Sequence, residues 1–171
     1  MNQESQQQFS PPYTWLWLIV SAGIISLDMW TKALASEQLA LYRPVEIFPW
    51  LNMTLAHNYG AAFSFLSDAG GWQRWLFTFL PAAISIILLV WLIRLPRAEW
   101  LTALALALIL GGAIGNLAGR VEFGYVVDFV DVYYQSYHFP AFNVADSSIF
   151  CGVVLLLFDG VLQSRNAKSE E

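Results

Sequence analysis

Trp75–Ile93 reads WLFTFLPAAISIILLVWLI, nineteen residues without a charge. An α-helix rises about 1.5 Å per residue, so this run is long enough to cross ~30 Å of hydrocarbon. It places the chain among membrane proteins. Composition agrees: 57% of residues are hydrophobic and 12% charged, against roughly 25% charged in an ordinary soluble domain. Pro81 lies inside the run. Spans tolerate such a residue where neighbours re-satisfy the freed carbonyl.

Three more spans lie on either side of this one. Downstream, Arg94, Pro96, Arg97 and Glu99 form a tight polar loop, and Trp100–Gly119 is the next apolar run. Its second half holds Gly111, Gly112, Gly115 and Gly119, small residues that let helices approach closely. Val144 to about Leu162 is the last span, interrupted by Asp159 near its far end. Upstream, Tyr13 to about Ala33 forms the first span, with Trp15 and Trp17 as interface anchors. Met1–Pro12 is polar and Gln-rich and reads as a disordered leader. It lacks the basic start of a cleaved signal peptide, so the first span is expected to stay.

Ser36–Gly71 is the longest stretch outside the spans. Leu51, Met53 and Leu55 alternate with Asn52, Thr54 and Ala56, the period of a strand with one apolar face. Val45 and Ile47, before Pro49, suggest a second strand, and Asn58-Tyr59-Gly60 marks a turn. Ala61–Leu66 is apolar enough to lie along the interface. The expectation is a single-domain, all-α membrane protein: four transmembrane helices, a small extramembrane β-sheet over about 36–71 resting on the bilayer, and a short outer helix or flap over about 130–140.

Several function classes drop out. One cysteine, Cys151, and two distant histidines, His57 and His138, give no metal-ligand spacing. No cofactor motif is present. No basic run invites nucleic acid. Four spans put both termini on one side. Arg94, Arg97, Arg165 and Lys168 mark that side, and Lys32, Arg43, Arg74 and Arg120 the other. The tie is broken in favour of cytoplasmic termini, because Lys32 and Arg120 sit in polar clusters with another use for them.

That topology gathers polar residues at one boundary. Asp28 and Lys32, four residues apart, end the first span. Asn58 and Gly60 follow the strand, and Asn116 and Arg120 end the third span. Gly124–Ser148, GYVVDFVDVYYQSYHFPAFNVADSS, then brings Asp128, Asn143 and Asp146. A carboxylate at membrane depth is costly and is functional by default. Two carboxylates held together share a proton, so that one activates water while the other polarises a carbonyl. This is amide hydrolysis of the aspartyl type, and it needs no metal.

Each feature also has a plain structural reading. Asp28–Lys32 is then a helix-end ion pair and Arg120 a headgroup anchor. Asn143–Asp146 is then a helix start with Asn or Asp as cap. Asp131 reads as a solvated loop charge, Asp159 as a cytoplasmic-side cap and His57 as a loop residue. A small ion- or proton-coupled transporter subunit using intramembrane carboxylates is the alternative function. The absence of an internal repeat and of mid-span polar residues counts against it. The Gly-x-Gly-Asp signature of presenilin-type proteases is absent.

At these residues the chain resembles the lipoprotein signal peptidases, the type II signal peptidases of bacteria. Five blocks carry the likeness in order: Asp28-Met29-Trp30-Thr31-Lys32, Asn58-Tyr59-Gly60-Ala61-Ala62-Phe63, Gly111-Gly112-Ala113-Ile114-Gly115-Asn116, Val126-Val127-Asp128-Phe129 and Phe142-Asn143-Val144-Ala145-Asp146-Ser147. The resemblance implies an inner-membrane aspartyl endopeptidase that cleaves diacylglyceryl-modified prolipoproteins just before the lipidated cysteine. Asp128 and Asp146 would be the catalytic pair, supported by Asp28, Lys32, Asn58, Gly60, Asn116, Arg120 and Asn143. The active site would face the periplasm. The sheet would cradle the substrate, with Tyr133–Phe139 as a mobile flap. The partners would be substrate and membrane lipid; with one pair per chain, a monomer suffices. One departure stands out. The family usually has an acid immediately before the arginine, and here the residue is Gly119.

Overall fold

The computed structural model describes residues 11–60 and 72–169. Most of the expected leader and the Ala61–Leu66 stretch lie outside the described residues. The elements in chain order are α1 (Pro11–Gln38), β1 (Val45–Phe48), β2 (Leu51–Asn58), α2 (Trp72–Arg94), α3 (Trp100–Glu122), β3 (Val126–Tyr134), β4 (Tyr137–His138) and α4 (Val144–Ser169). Pro11 and Pro12, assigned above to the leader, open α1. Proline suits a first helical turn, where its missing N–H would have no partner.

All four helices are long and apolar enough to cross a membrane. They are not equivalent. Of the most apolar window of α3, 61% is buried, against 22%, 11% and 17% for α1, α2 and α4. α3 is therefore the central post, and its small residues make it so. A Cβ on Gly111 would stand 2.9 Å from the Ile24 Cβ of α1. On Gly112 it would collide with the Ala145 carbonyl oxygen of α4. Hydroxyls stitch the contacts: Ser21 Oγ donates to the Ala107 carbonyl and Ser148 Oγ to the Leu108 carbonyl, each at 2.8 Å. Leu88 and Leu92 of α2 close the core against Ala103, Leu106 and Leu110.

The strands form one antiparallel sheet in the order β1-β2-β3-β4. Its origin differs from expectation. Only β1 and β2 come from Ser36–Gly71; the other two strands come from the stretch that links α3 to α4. The first part of the expected 130–140 flap belongs to β3, and the rest turns back as β4 through Gln135, which has φ 55°. Asn52, expected on the polar face, is buried.

Two acids need reassignment. Asp131 is no solvated loop charge. It is buried on β3, where its Oδ2 accepts from Asn52 Nδ2 at 3.2 Å and Thr54 Oγ1 at 3.3 Å. Asp159 is no end cap. It is buried within α4 and accepts from the Thr102 hydroxyl of α3 and the Gln163 amide. His57, expected in a loop, lies on β2 and stacks on Tyr125, 3.9 Å between ring centres.

Candidate active site

The start of α4 organises the site. Asn143 is its N-cap: Asn143 Oδ1 accepts the Asp146 backbone N–H at 2.9 Å. In return, Asp146 Oδ2 accepts the Asn143 backbone N–H at 3.3 Å. This is a reciprocal capping box with aspartate in the acidic position. The Ala145 N–H donates to Asp28 Oδ1, 2.9 Å away on α1. Two carboxylates and one side-chain amide thus accept three backbone donors at one helix start, where the helix dipole also favours negative charge.

Asp28 is fully buried, and its other oxygen accepts from Lys32 Nζ at 2.6 Å. Gly115 makes room for it; a Cβ there would lie 2.7 Å from Asp28 Oδ2. Lys32 Nζ also donates to Asn116 Oδ1 at 2.9 Å, and Asn116 Nδ2 donates to Asp146 Oδ1 at 2.7 Å. Buried ions persist when paired and hydrogen-bonded, as Asp28 and Lys32 are here.

Asp128 reaches the same place from β3. Its Oδ1 accepts from Asn143 Nδ2 at 2.6 Å and its Oδ2 from Asn58 Nδ2 at 3.0 Å. Asn143 Nδ2 also lies 3.2 Å from the Val127 carbonyl and from Asn116 Oδ1. Asn58 Oδ1 accepts the Gly60 N–H at 3.1 Å, and Arg120 donates to the Gly60 carbonyl at 3.2 Å. All nine residues singled out from the sequence therefore join one network.

Asp128, Asp146, Asn58, Asn116 and Arg120 line a cavity of about 260 Å³ whose outer wall is Phe139–Phe142. Burial first, and the charge of Asp146 second, raise the Asp128 carboxyl from its ordinary value to about 7. Hydrogen bonds from Asn58 and Asn143 and the charge of Lys32 pull the other way without cancelling this. Asp128 can thus take up or release a proton near neutral pH. Among the described residues no three His, Cys, Asp or Glu side chains gather as a metal-ligand set.

Residues 20–162 match the family model of signal peptidase (SPase) II. The chain belongs to the signal peptidase II family. It is a multi-pass membrane protease. A lipoprotein signal peptidase of Acinetobacter baumannii is 57% identical over 148 residues, covering 86% of this chain and 84% of that one. One from Teredinibacter turnerae is 49% identical over 152 residues, covering 89% and 90%. The fold is similar to a bacterial membrane enzyme solved in meso at 2.3 Å, with a TM-score of 0.79 and 30% identity over 88% of this chain and 90% of that one. Nothing in these relationships supports a transporter.

Gly119, where the resemblance leads us to expect an acid, lines a separate cavity of about 460 Å³ with Lys32, Glu37 and Glu122. A Cβ on Gly119 would stand 3.2 Å from the Tyr125 carbonyl oxygen. Sequence reasoning missed Asp131 and its partner His138, whose Nδ1 lies 2.9 Å from Asp131 Oδ1. No spacing signal marks that pair, because it forms only once β3 and β4 fold back on each other.

Proposed function

We propose that this chain is an aspartyl endopeptidase of the bacterial inner membrane, with Asp128 and Asp146 as its catalytic pair. Its substrates are prolipoproteins carrying a diacylglyceryl group on the lipobox cysteine. It cuts the peptide bond just before that cysteine and releases the signal peptide. Both termini are cytoplasmic, and the site opens at the periplasmic boundary. A single chain suffices, since it carries both acids. The observation that carries this reading is the meeting of two acids from β3 and α4 in one cavity at the end of the bundle.

The chemistry follows from the charges. Asp28, Asp128 and Asp146 face Lys32 and Arg120. One proton shared by the Asp128–Asp146 pair leaves the cluster neutral, the cheapest state beside a bilayer. The ionised partner takes a proton from water as the water oxygen attacks the scissile carbonyl carbon. The protonated partner gives its proton to the carbonyl oxygen. The tetrahedral diol collapses with breakage of the C–N bond: the ionised partner takes a proton from a diol hydroxyl, and the protonated partner gives its proton to the leaving nitrogen. The signal peptide leaves with a new carboxyl group, and the lipidated cysteine keeps the free amine. Asn58, Asn116 and Asn143 hold the carboxyls at fixed angles, which is positioning established before substrate arrives.

The test is a cleavage assay in detergent or lipid on a diacylglyceryl-modified prolipoprotein. Wild type should cut before the lipidated cysteine, while folded Asp128→Asn and Asp146→Asn should each lose at least about a thousandfold in rate. Full activity in either variant would overturn the dyad.

A further inference from the structure

We propose that the Asp131–His138 pair is a latch for the outer wall of the cavity, and that His138 is a positioning residue for substrate. The inference rests on the proteolytic reading above and adds to it a residue outside the nine. Phe139–Phe142 forms the wall facing the two acids. Its residues therefore bound the space that a peptide would occupy beside them.

The wall is an arch clamped at both ends on β3. At its far end the Phe142 N–H donates to the Val130 carbonyl, and the Phe142 carbonyl accepts from both Phe129 and Val130. Asn143 follows at once and bonds Asp128. This end cannot move without disturbing the carboxyl itself. At the near end the Phe139 N–H donates to the Val132 carbonyl at 2.8 Å. Between the two ties stand only Pro140, which has no N–H to give, and Ala141.

The near tie has a side-chain lock. His138 Nδ1 lies 2.9 Å from Asp131 Oδ1 and 3.1 Å from Oδ2. The two halves of this lock differ in freedom. The Asp131 side chain is only 10% exposed and is pinned from β2 by Asn52 and Thr54, whereas that of His138 is 50% exposed. The acid is the fixed plate and the histidine the moving bolt. Tyr133 stacks on the imidazole with 5.3 Å between ring centres and guides it. Release of the bolt removes the side-chain tie on β4, two residues long and paired to β3 at Tyr133 and Tyr134, and so loosens the exposed aromatic lip at Phe139. The other end of the arch stays fixed to the site. The latch therefore governs how firmly substrate is held against the acids and leaves their proton chemistry alone.

His138→Ala should raise KM for the lipidated prolipoprotein about tenfold, with kcat within about twofold of wild type. His138→Asn, whose amide sits where Nδ1 sits, should restore KM to within about twofold. Hydrogen exchange gives a readout independent of cleavage. The Phe139 amide should exchange roughly tenfold faster in His138→Ala, and the Phe142 amide should be unchanged. The latch is overturned if KM stays within twofold in His138→Ala, if kcat falls while KM holds, if Asn rescues nothing, or if both amides loosen together. A wild type that fails to cut would instead sink the proteolytic reading, while the exchange experiment would still decide the latch.

Discussion

Asp128 illustrates how a buried carboxyl that holds its proton works against stability. In the unfolded chain its carboxyl titrates near the ordinary 3.8, and in the fold burial raises it to about 7. Between those values the folded state keeps a proton that the unfolded state has released. Stability therefore falls as pH rises through that window, and the loss is complete above about pH 7. Asp128→Asn removes the titration. Thermal unfolding in detergent should show the variant gaining on wild type between about pH 5 and pH 8, by roughly 2–4 kcal/mol, while it stays inactive throughout. A gap that does not widen with pH would show that the carboxyl titrates normally and is not the proton-sharing partner. Much at this scale was legible before the fold. Asp28, Lys32 and Asp146 announce themselves because charge is scarce in apolar sequence. Asp131 did not, because a charge four residues before Gln135-Ser136 reads as part of a loop until β2 supplies Asn52 and Thr54.

The start of α4 shows an element in which cap and site are the same object. From sequence alone, Asn143–Asp146 presents two competing readings, a helix start or a catalytic block. The capping box establishes the helix start and is compatible with the second reading, since the bonds that satisfy the helix also fix the Asp146 carboxyl. β2 is legible by its alternation. β3 is not, because Val126–Phe129 is buried without a break, so a two-residue period has nothing to report. The two N–H groups of Phe129 and Val130 aimed at one carbonyl mark a bulge there, a device that re-aims side chains beside active sites. The third-span glycines carry a prediction at this scale. A Cβ on Gly112 would press on the Ala145 carbonyl and lie 2.8 Å from the Ile149 side chain. Ala145 is the neighbour of Asp146, so Gly112→Ala displaces the helix start that holds the acid. Activity should fall at least about tenfold, with a stability loss of ~1–3 kcal/mol. Gly23 of α1, with nothing within 4 Å of its Cβ position, is the control. Gly23→Ala should leave activity unchanged and unfolding the same or slightly higher. Equal behaviour of the two variants in a paired assay would detach the glycine from the site.

At the scale of the whole molecule, α3 links two polar clusters at opposite ends. Hydropathy finds all four spans but cannot rank them. α2 has the highest mean hydropathy, 2.6, and the least burial, 11%, because apolar side chains face lipid as readily as protein. Small residues, not apolar ones, mark the inner helix. Hydrogen-bond partners likewise separate the paired acids from Asp159. Asp159 is buried at the end of the bundle away from Asp128 and Asp146, and its partners are a hydroxyl and an amide rather than a second acid. It ties α4 to α3 by the Thr102 hydrogen bond, which any acceptor of the same shape can take. Asp159→Asn should therefore keep both unfolding temperature and kcat/KM within experimental scatter. Asp159→Ala should lose about 1 kcal/mol of helix association with kcat/KM still within twofold. The comparison needs only thermal unfolding and the cleavage assay on the same preparations. If Asp159→Asn lowers kcat/KM while unfolding is unchanged, the charge at that end matters to the reaction. The division of the bundle into one reactive end and one structural end would then fail.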